Sequence, residues 1–225
     1  MRTDRVWLFD LDDTLHDATH ASFGPITDHM TRYMMDQLSI TREQADALRR
    51  RYWLRYGATL LGLMRHHGVK AAHFLHHTHL LPGLEDRLRR HPHDAAALAR
   101  LRGRCYVLTN APRAYALRVL RTLGLLDLFD GVIAVEDMAM FGHLRPKPDA
   151  RMLRRVMARL RVHPSRGVLV EDTLEHQRSA RRVGLRTVWL QRWIRPGDAR
   201  ARRRGRHPAY VDHKVRRLAA LRRLP

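Results

Sequence analysis

Five short apolar runs constrain the fold of this chain more than any other feature: Val6–Phe9, Cys105–Leu108, Gly131–Val135, Gly167–Val170 and Thr187–Leu190. They are rich in Val, Ile, Leu and aromatic residues and lack clean alternation, the pattern of strands covered on both faces. Helical text separates the later runs. Ala114–Leu123 carries apolar residues at helical spacing and ends at Gly124, and Leu174–Val183 ends at Gly184. Pro148–Leu160 opens on proline, which predicts a helix starting there, with Leu153, Val156, Met157 and Leu160 on one side. Strands alternating with helices predict an α/β fold, a Rossmann-like parallel sheet flanked by helices.

Between the first and second runs the rhythm breaks. Residues 16–82 hold several helical patterns and no convincing strand, which predicts a helical insertion, with residues 1–15 and 83–225 forming one discontinuous α/β core. Thr41-Arg-Glu-Gln44 reads as a capping box that starts one of these helices. In Tyr52-Trp-Leu-Arg-Tyr-Gly57, Trp53 and Tyr56 are expected in the core of the insertion, with Arg55 the candidate to reach a substrate.

Composition sets the class. At 225 residues, 44% hydrophobic and 29% charged, the chain supports a substantial globular core. It has no apolar run long enough to span a membrane. Asp10, Asp12 and Asp13 interrupt the only early apolar stretch, so no cleaved leader is expected. The single cysteine, Cys105, excludes an internal disulfide, is expected buried, and fits a cytoplasmic setting. The formal charge of +21 attracts polyanions. Only Lys70, Lys147 and Lys214 among the 43 basic residues are lysine, however, so a coding bias toward arginine explains the excess better than a nucleic-acid surface. The histidines at 66, 67, 73, 76, 77 and 79 read as a solvated helical face. In the arginine-rich stretch Arg195 to Arg223, Val211, Val215, Leu218, Leu221 and Leu224 predict a docked amphipathic helix.

Chemistry concentrates where strands end. Asp10-Leu-Asp12 follows the first apolar run, at the edge where open α/β sheets place ligands. Two carboxylates two residues apart repel unless a cation or shared proton intervenes. Alone, the pair also describes a solvated turn. Thr109-Asn110 follows the second run, where a hydroxyl and loop amides can bind phosphate or simply cap a helix. Lys147 stands between two prolines, rigidly held or merely exposed. Glu171-Asp172 closes the fourth run with hard oxygen donors suited to Mg²⁺. Each signal is weak alone; four in order are strong.

With these residues the chain resembles the haloacid dehalogenase superfamily, in its phosphatase branch, over nearly its whole length. Asp10-Leu-Asp-Asp-Thr-Leu15, Thr109, Lys147 and Glu171-Asp172 match its four motifs in order. Thr109-Asn-Ala111, Leu123-Gly-Leu125, Leu128-Phe-Asp-Gly131 and Gly184-Leu-Arg-Thr-Val-Trp189 resemble the pyrimidine 5'-nucleotidase type more narrowly. Tyr115, where that pattern often has histidine, and Gln177, where it has asparagine, depart from it. The resemblance implies a Mg²⁺-dependent phosphomonoesterase. Asp10 is then the nucleophile and Asp12 the general acid and base, while Thr109, Asn110 and Lys147 hold phosphate. Asp10, the Asp12 carbonyl, Asp172 and Glu171 are then the metal ligands. Residues 16–82 become a cap that selects substrate. The expected partner is a small phosphomonoester, best a nucleoside 5'-monophosphate, with neither specific nucleic acid nor membrane. A sugar-phosphate or phosphoglycolate phosphatase or phosphomutase of the same fold is the alternative. A catalytically idle polyanion-binding protein is the rival from another class.

Overall fold

The apolar runs pair side by side. A computed structural model describes residues 5–193 and 207–224. Its main sheet has six parallel strands: β1 (Val6–Phe9), β2 (Arg104–Leu108), β3 (Gly131–Ile133), β6 (Gly167–Glu171), β7 (Arg186–Leu190) and β8 (His213–Val215). Two short strands, β4 (Ala139–Met140) and β5 (His143–Leu144), form a separate antiparallel hairpin. The sheet order is β3-β2-β1-β6-β7-β8. The chain therefore starts at the centre, builds outward through β2 and β3, then returns to the other side of β1. Such a reversal opens a crevice at the carboxyl ends of the strands.

The chain folds as two compact units, one from residues up to Asp17 together with those from Leu88 onward, the other Ala18–Arg87. In the first unit, β1 is buried along its whole length. Val6 and Leu8 face a cluster with Leu153, Val156 and Met157 of α9 (Ala150–Arg159) and Ala180 of α10 (Leu174–Val183). On the opposite face Trp7 and Phe9 stack with ring centroids 6.3 Å apart, and Phe9 meets Phe129 edge-on. A strand covered on both faces needs apolar residues at every position, which is why these runs do not alternate. Cys105 is buried on β2.

One expectation shifts and one fails. The helix expected over Pro148–Leu160 forms but begins at Ala150. Asp149 is its N-cap, and its carboxylate accepts from the backbone N–H groups of Arg151 (2.7 Å) and Met152 (3.2 Å), a role the proline side chain has no oxygen to play. The predicted C-terminal amphipathic helix is instead β8 followed by a 3-10 segment, Leu218–Arg223. The buried Val215, Leu218 and Leu221 share a helical spacing only by coincidence, since Val215 lies in an edge strand whose backbone pairs with β7. The rest of that arginine-rich stretch, residues 195–206, lies outside the described residues.

The second unit is helical: α1 (Ala18–Ala21), α2 (Phe23–Leu38), α3 (Arg42–Tyr56), α4 (Thr59–His67), α5 (Ala71–His79) and α6 (Leu84–Arg87). Thr41 caps α3 through the capping box with Gln44. Met34, Ala45, Tyr52, Leu63 and Phe74 form its interior. Trp53 is 60% exposed, contrary to expectation. Ala45 and Tyr52 lie seven residues apart on one face of α3, and a neighbour on a helix turns about 100° away from that face. Tyr56 is half-buried, packed 5.9 Å from Tyr52.

Candidate active site

Four segments converge at the carboxyl edge of the central strands. Asp10 continues β1, its N–H donating to Val170 O at 3.0 Å, so the β1–β6 ladder runs into the site. Leu15 N–H donates back to Leu11 O (2.8 Å), turning the chain immediately after the strand. That turn gives Asp10 and Asp12 different surroundings.

Asp10 is almost fully buried. Its Oδ1 accepts from Lys147 Nζ at 2.5 Å and its Oδ2 from Thr14 Oγ1 at 3.3 Å. Burial and the neighbouring Glu171 carboxylate push its pKa well above the carboxylate range, against the pull of Lys147. Lys147, equally buried, also donates to Glu171 Oε2 at 2.7 Å. Burial alone would lower its pKa, but Asp10 and Glu171 outweigh that and hold the ammonium charged, above its ordinary value.

Glu171 is enclosed by donors. Oε1 accepts from the backbone N–H groups of Asp172 and Thr173, each at 3.1 Å. Oε2 takes Lys147 and His176 Nδ1, the latter at 2.9 Å. Burial raises its pKa, yet Lys147, His176 and the hydrogen bonds win and hold it well below the usual range. His176 carried no signal in the sequence; it lies five residues past Glu171, in the first turn of α10.

The loop carrying Lys147 is pinned from β2. Asn110 Nδ2 donates to Lys147 O (3.0 Å) while Lys147 N–H donates to Asn110 Oδ1 (2.8 Å). Asn110 thus spends both ends of its amide on the lysine's backbone. Thr109 Oγ1, buried beside it, accepts from Ala111 N–H (3.0 Å), which leaves the hydroxyl proton to donate elsewhere. Gln177 Nε2 donates to Glu171 O (2.8 Å) and Val188 O (2.7 Å), bridging β6 and β7 below the acidic pair.

Asp12 lies apart from the lysine. Its Oδ1 accepts from Tyr115 Oη at 2.8 Å and lies 2.9 Å from His16 Nε2. Tyr115 stands on α8 (Arg113–Leu123). Neither Tyr115 nor His16 was expected at the site.

One oxygen each from Asp10, Glu171 and Asp172 lies within 4.8 Å of the others, the one group of this kind among the described residues. Hard carboxylate donors at that spacing suit Mg²⁺. The histidines of the helical unit show no such cluster; His67 pairs with the Tyr52 hydroxyl (2.8 Å) and His73 with that of Tyr33 (2.8 Å). Arg55 lies in that unit, on the exposed face of α3, with its guanidinium 5.5 Å from the Tyr56 ring centre.

Residues 5–184 match the haloacid dehalogenase-like hydrolase family. The chain belongs to it. Among its relatives, the validoxylamine A 7'-phosphate phosphatase of Streptomyces hygroscopicus subsp. limoneus is 36% identical over 84 residues. That alignment spans 37% of each of the two chains. A HAD phosphatase from Thermococcus onnurineus shares the fold at a TM-score of 0.64 and 22% identity, covering 97% of this chain and 96% of its own. The L-2-haloacid dehalogenase of Xanthobacter autotrophicus does so at 0.59 and 19%, covering 98% of each. The haloacid dehalogenase-like fold thus frames the site. No described helix is long and apolar enough to cross a membrane.

Proposed function

We propose that this hydrolase cleaves small phosphomonoesters through an aspartyl-phosphate on Asp10, with Mg²⁺ held by Asp10, Asp172 and the Asp12 main-chain carbonyl. The observation that carries the reading is the contact of Lys147 Nζ with Asp10 Oδ1 at 2.5 Å, beside a group of three carboxylates, Asp10, Glu171 and Asp172. One ammonium cannot offset Asp10, Glu171 and Asp172 together; burial first, and then the Glu171 carboxylate, raise the pKa of Asp10 against the pull of Lys147. A divalent cation supplies the missing positive charge and keeps Asp10 ionised for attack. Glu171, whose oxygens are already taken, serves chiefly to hold Lys147 and bears on the metal through water.

In this mechanism Asp10 attacks phosphorus and forms an acyl phosphate as the ester oxygen departs with its bonding pair. Asp12 gives that oxygen its proton, then takes one from the water that attacks the acyl phosphate, and Asp10 is restored. Thr109 donates to a phosphoryl oxygen and Lys147 neutralises the equatorial charge, with Asn110 fixing the loop that presents the lysine. The second carboxylate, Asp12, favours phosphoester cleavage over halide displacement, which leaves an anion needing no proton. The helical unit acts as a substrate-selecting cap, with Arg55 as a contact, and nucleoside 5'-monophosphates are the leading substrates.

Sugar phosphates are the second reading, favoured because validoxylamine A 7'-phosphate, the substrate named for the relative above, is not a nucleotide. A Mg²⁺-supplemented screen of UMP, CMP, their deoxy forms and sugar phosphates separates the two readings. A preference for sugar phosphates overturns the nucleotide assignment. Hydrolysis undiminished in Asp10→Asn overturns the mechanism itself.

A further inference from the structure

Two residues outside the four motifs converge on a single oxygen atom. Tyr115 and His16 are both 1% exposed, and each aims its polar end at Asp12 Oδ1, from 2.8 and 2.9 Å. They come from distant places, Tyr115 from the first turn of α8 and His16 from the loop after β1. The two also approach each other, Tyr115 Oη lying 3.3 Å from His16 Nε2. Asp12 itself keeps part of its side chain open to solvent.

The arrangement has a cost that packing does not explain. His16 Nδ1 is buried with no hydrogen-bond partner. A neutral imidazole offers one N–H and one bare nitrogen, so the network puts the proton on Nε2, donating to Asp12, and leaves Nδ1 as the orphan acceptor. Burying a ring nitrogen unpaired is unfavourable. An apolar side chain would fill the same space without that cost. What the histidine adds is the Nε2–H bond to Asp12.

We infer that Tyr115 and His16 are positioning residues for proton transfer by Asp12: by both donating to Oδ1 they reserve Oδ2 as the oxygen that carries and delivers the proton. A carboxyl group accepting two hydrogen bonds on one oxygen has that oxygen's lone pairs engaged, so its proton goes to the other. The geometry thereby removes two uncertainties at once, the rotation of the carboxyl group and the choice of oxygen. Proton transfer needs donor and acceptor within hydrogen-bond reach in the reacting pose, and small misplacements are costly. During cleavage the P–O bonding pair leaves with the ester oxygen, and the Oδ2 proton passes to it.

This inference rests on the phosphomonoesterase reading, and the test keeps the two apart. The second-order rate constant, kcat/KM, reports steps up to leaving-group departure. It is measured for p-nitrophenyl phosphate, whose leaving group departs readily without a proton, and for phenyl phosphate, whose leaving group is more basic. Wild type, Asp12→Asn, Tyr115→Phe, His16→Phe and His16→Gln are compared, each checked for folding by its circular dichroism and thermal transition.

Tyr115→Phe and His16→Phe are expected to lose about tenfold more kcat/KM on phenyl phosphate than on p-nitrophenyl phosphate, a part of the full general-acid effect seen in Asp12→Asn. His16→Gln, which returns an N–H near the Nε2 position, recovers most of that loss and guards against a misfolded His16→Phe. Equal losses on both esters, or no loss on either, overturn the positioning role. If wild type cleaves neither ester, or Asp12→Asn shows no leaving-group dependence, the underlying mechanism falls instead, and this role with it.

Discussion

Lys147 Nζ lies 2.5 Å from Asp10 Oδ1, with the lysine side chain 1% and the aspartate side chain 9% exposed. A charge pair so enclosed is strong only while both members are present. Removing one leaves the other unpaired in a medium that solvates it poorly.

Lys147→Met therefore strands Asp10 beside Glu171. Breaking a buried pair in this way costs about 3–5 kcal/mol. Urea unfolding of the variant is expected to show a loss of that order, together with loss of phosphomonoester hydrolysis. Lys147→Arg does not rescue activity, because a planar guanidinium cannot approach Asp10 and Glu171 as a compact ammonium does. An Arg variant with wild-type kcat would refute this.

Mg²⁺ binding has a readout that needs no substrate. A ligand that binds only the folded state stabilises it by about 2.7 kcal/mol at a hundredfold excess over Kd. Adding Mg²⁺ is expected to raise the thermal transition of the wild type, and chelation to reverse the rise. In Asp172→Asn the rise is expected to shrink sharply. The same rise in both proteins would place the cation elsewhere.

How far the sequence revealed this site follows from what each residue is for. β1, β2, β6 and β7 were legible because a strand buried on both faces is apolar throughout, and the segments ending those runs carried Asp10, Thr109 and Glu171 to one edge. β8 was not legible: His213-Lys214-Val215 offers one apolar residue, and its pairing is made by backbone. The two-residue strands β4 and β5 are too short to show any period. Asp12 was visible, but its partners were not: the Tyr115 contact spans 103 residues and leaves no local pattern, and His16, four residues on, lies in a loop whose turn gives no period to read. Asn110 was visible, but its hold on the lysine loop was not. Its residue type suits phosphate, while its geometry serves the Lys147 backbone.

The helical unit depends on one close approach. A Cβ added at Gly62 on α4 would lie 2.2 Å from Cγ of Tyr52 on α3, closer than atoms can pack. Overfilling a packed interface costs about 1–3 kcal/mol. Gly62→Ala is expected to lower the thermal transition despite alanine's better helix propensity. An unchanged or raised transition would mean the two helices separate at little cost.

Asp149 links helix capping to the lysine loop. Its carboxylate accepts the first N–H groups of α9 and takes Arg145 Nη1 at 3.1 Å, two residues before Lys147. Burial raises its pKa, but the Arg151 N–H, the Arg145 guanidinium and the Met152 N–H outweigh it and hold it below its ordinary value of 3.8. The sign follows. A carboxyl group held low when folded adds stability above its unfolded pKa, and that stability is lost as pH falls through the folded value. At pH 7, Asp149→Ala is expected to cost about 1 kcal/mol, whereas Asp149→Asn, still a good cap, costs less. The gap between wild type and Asp149→Ala should narrow as the pH is lowered toward and below 3.8, where the wild-type carboxylate takes up its proton. Urea midpoints across that range measure it, and a gap independent of pH would show that the cap's charge contributes nothing. Since the same carboxylate frames the loop ahead of α9, the alanine variant should also lose kcat at pH 7, where the asparagine variant keeps most of it.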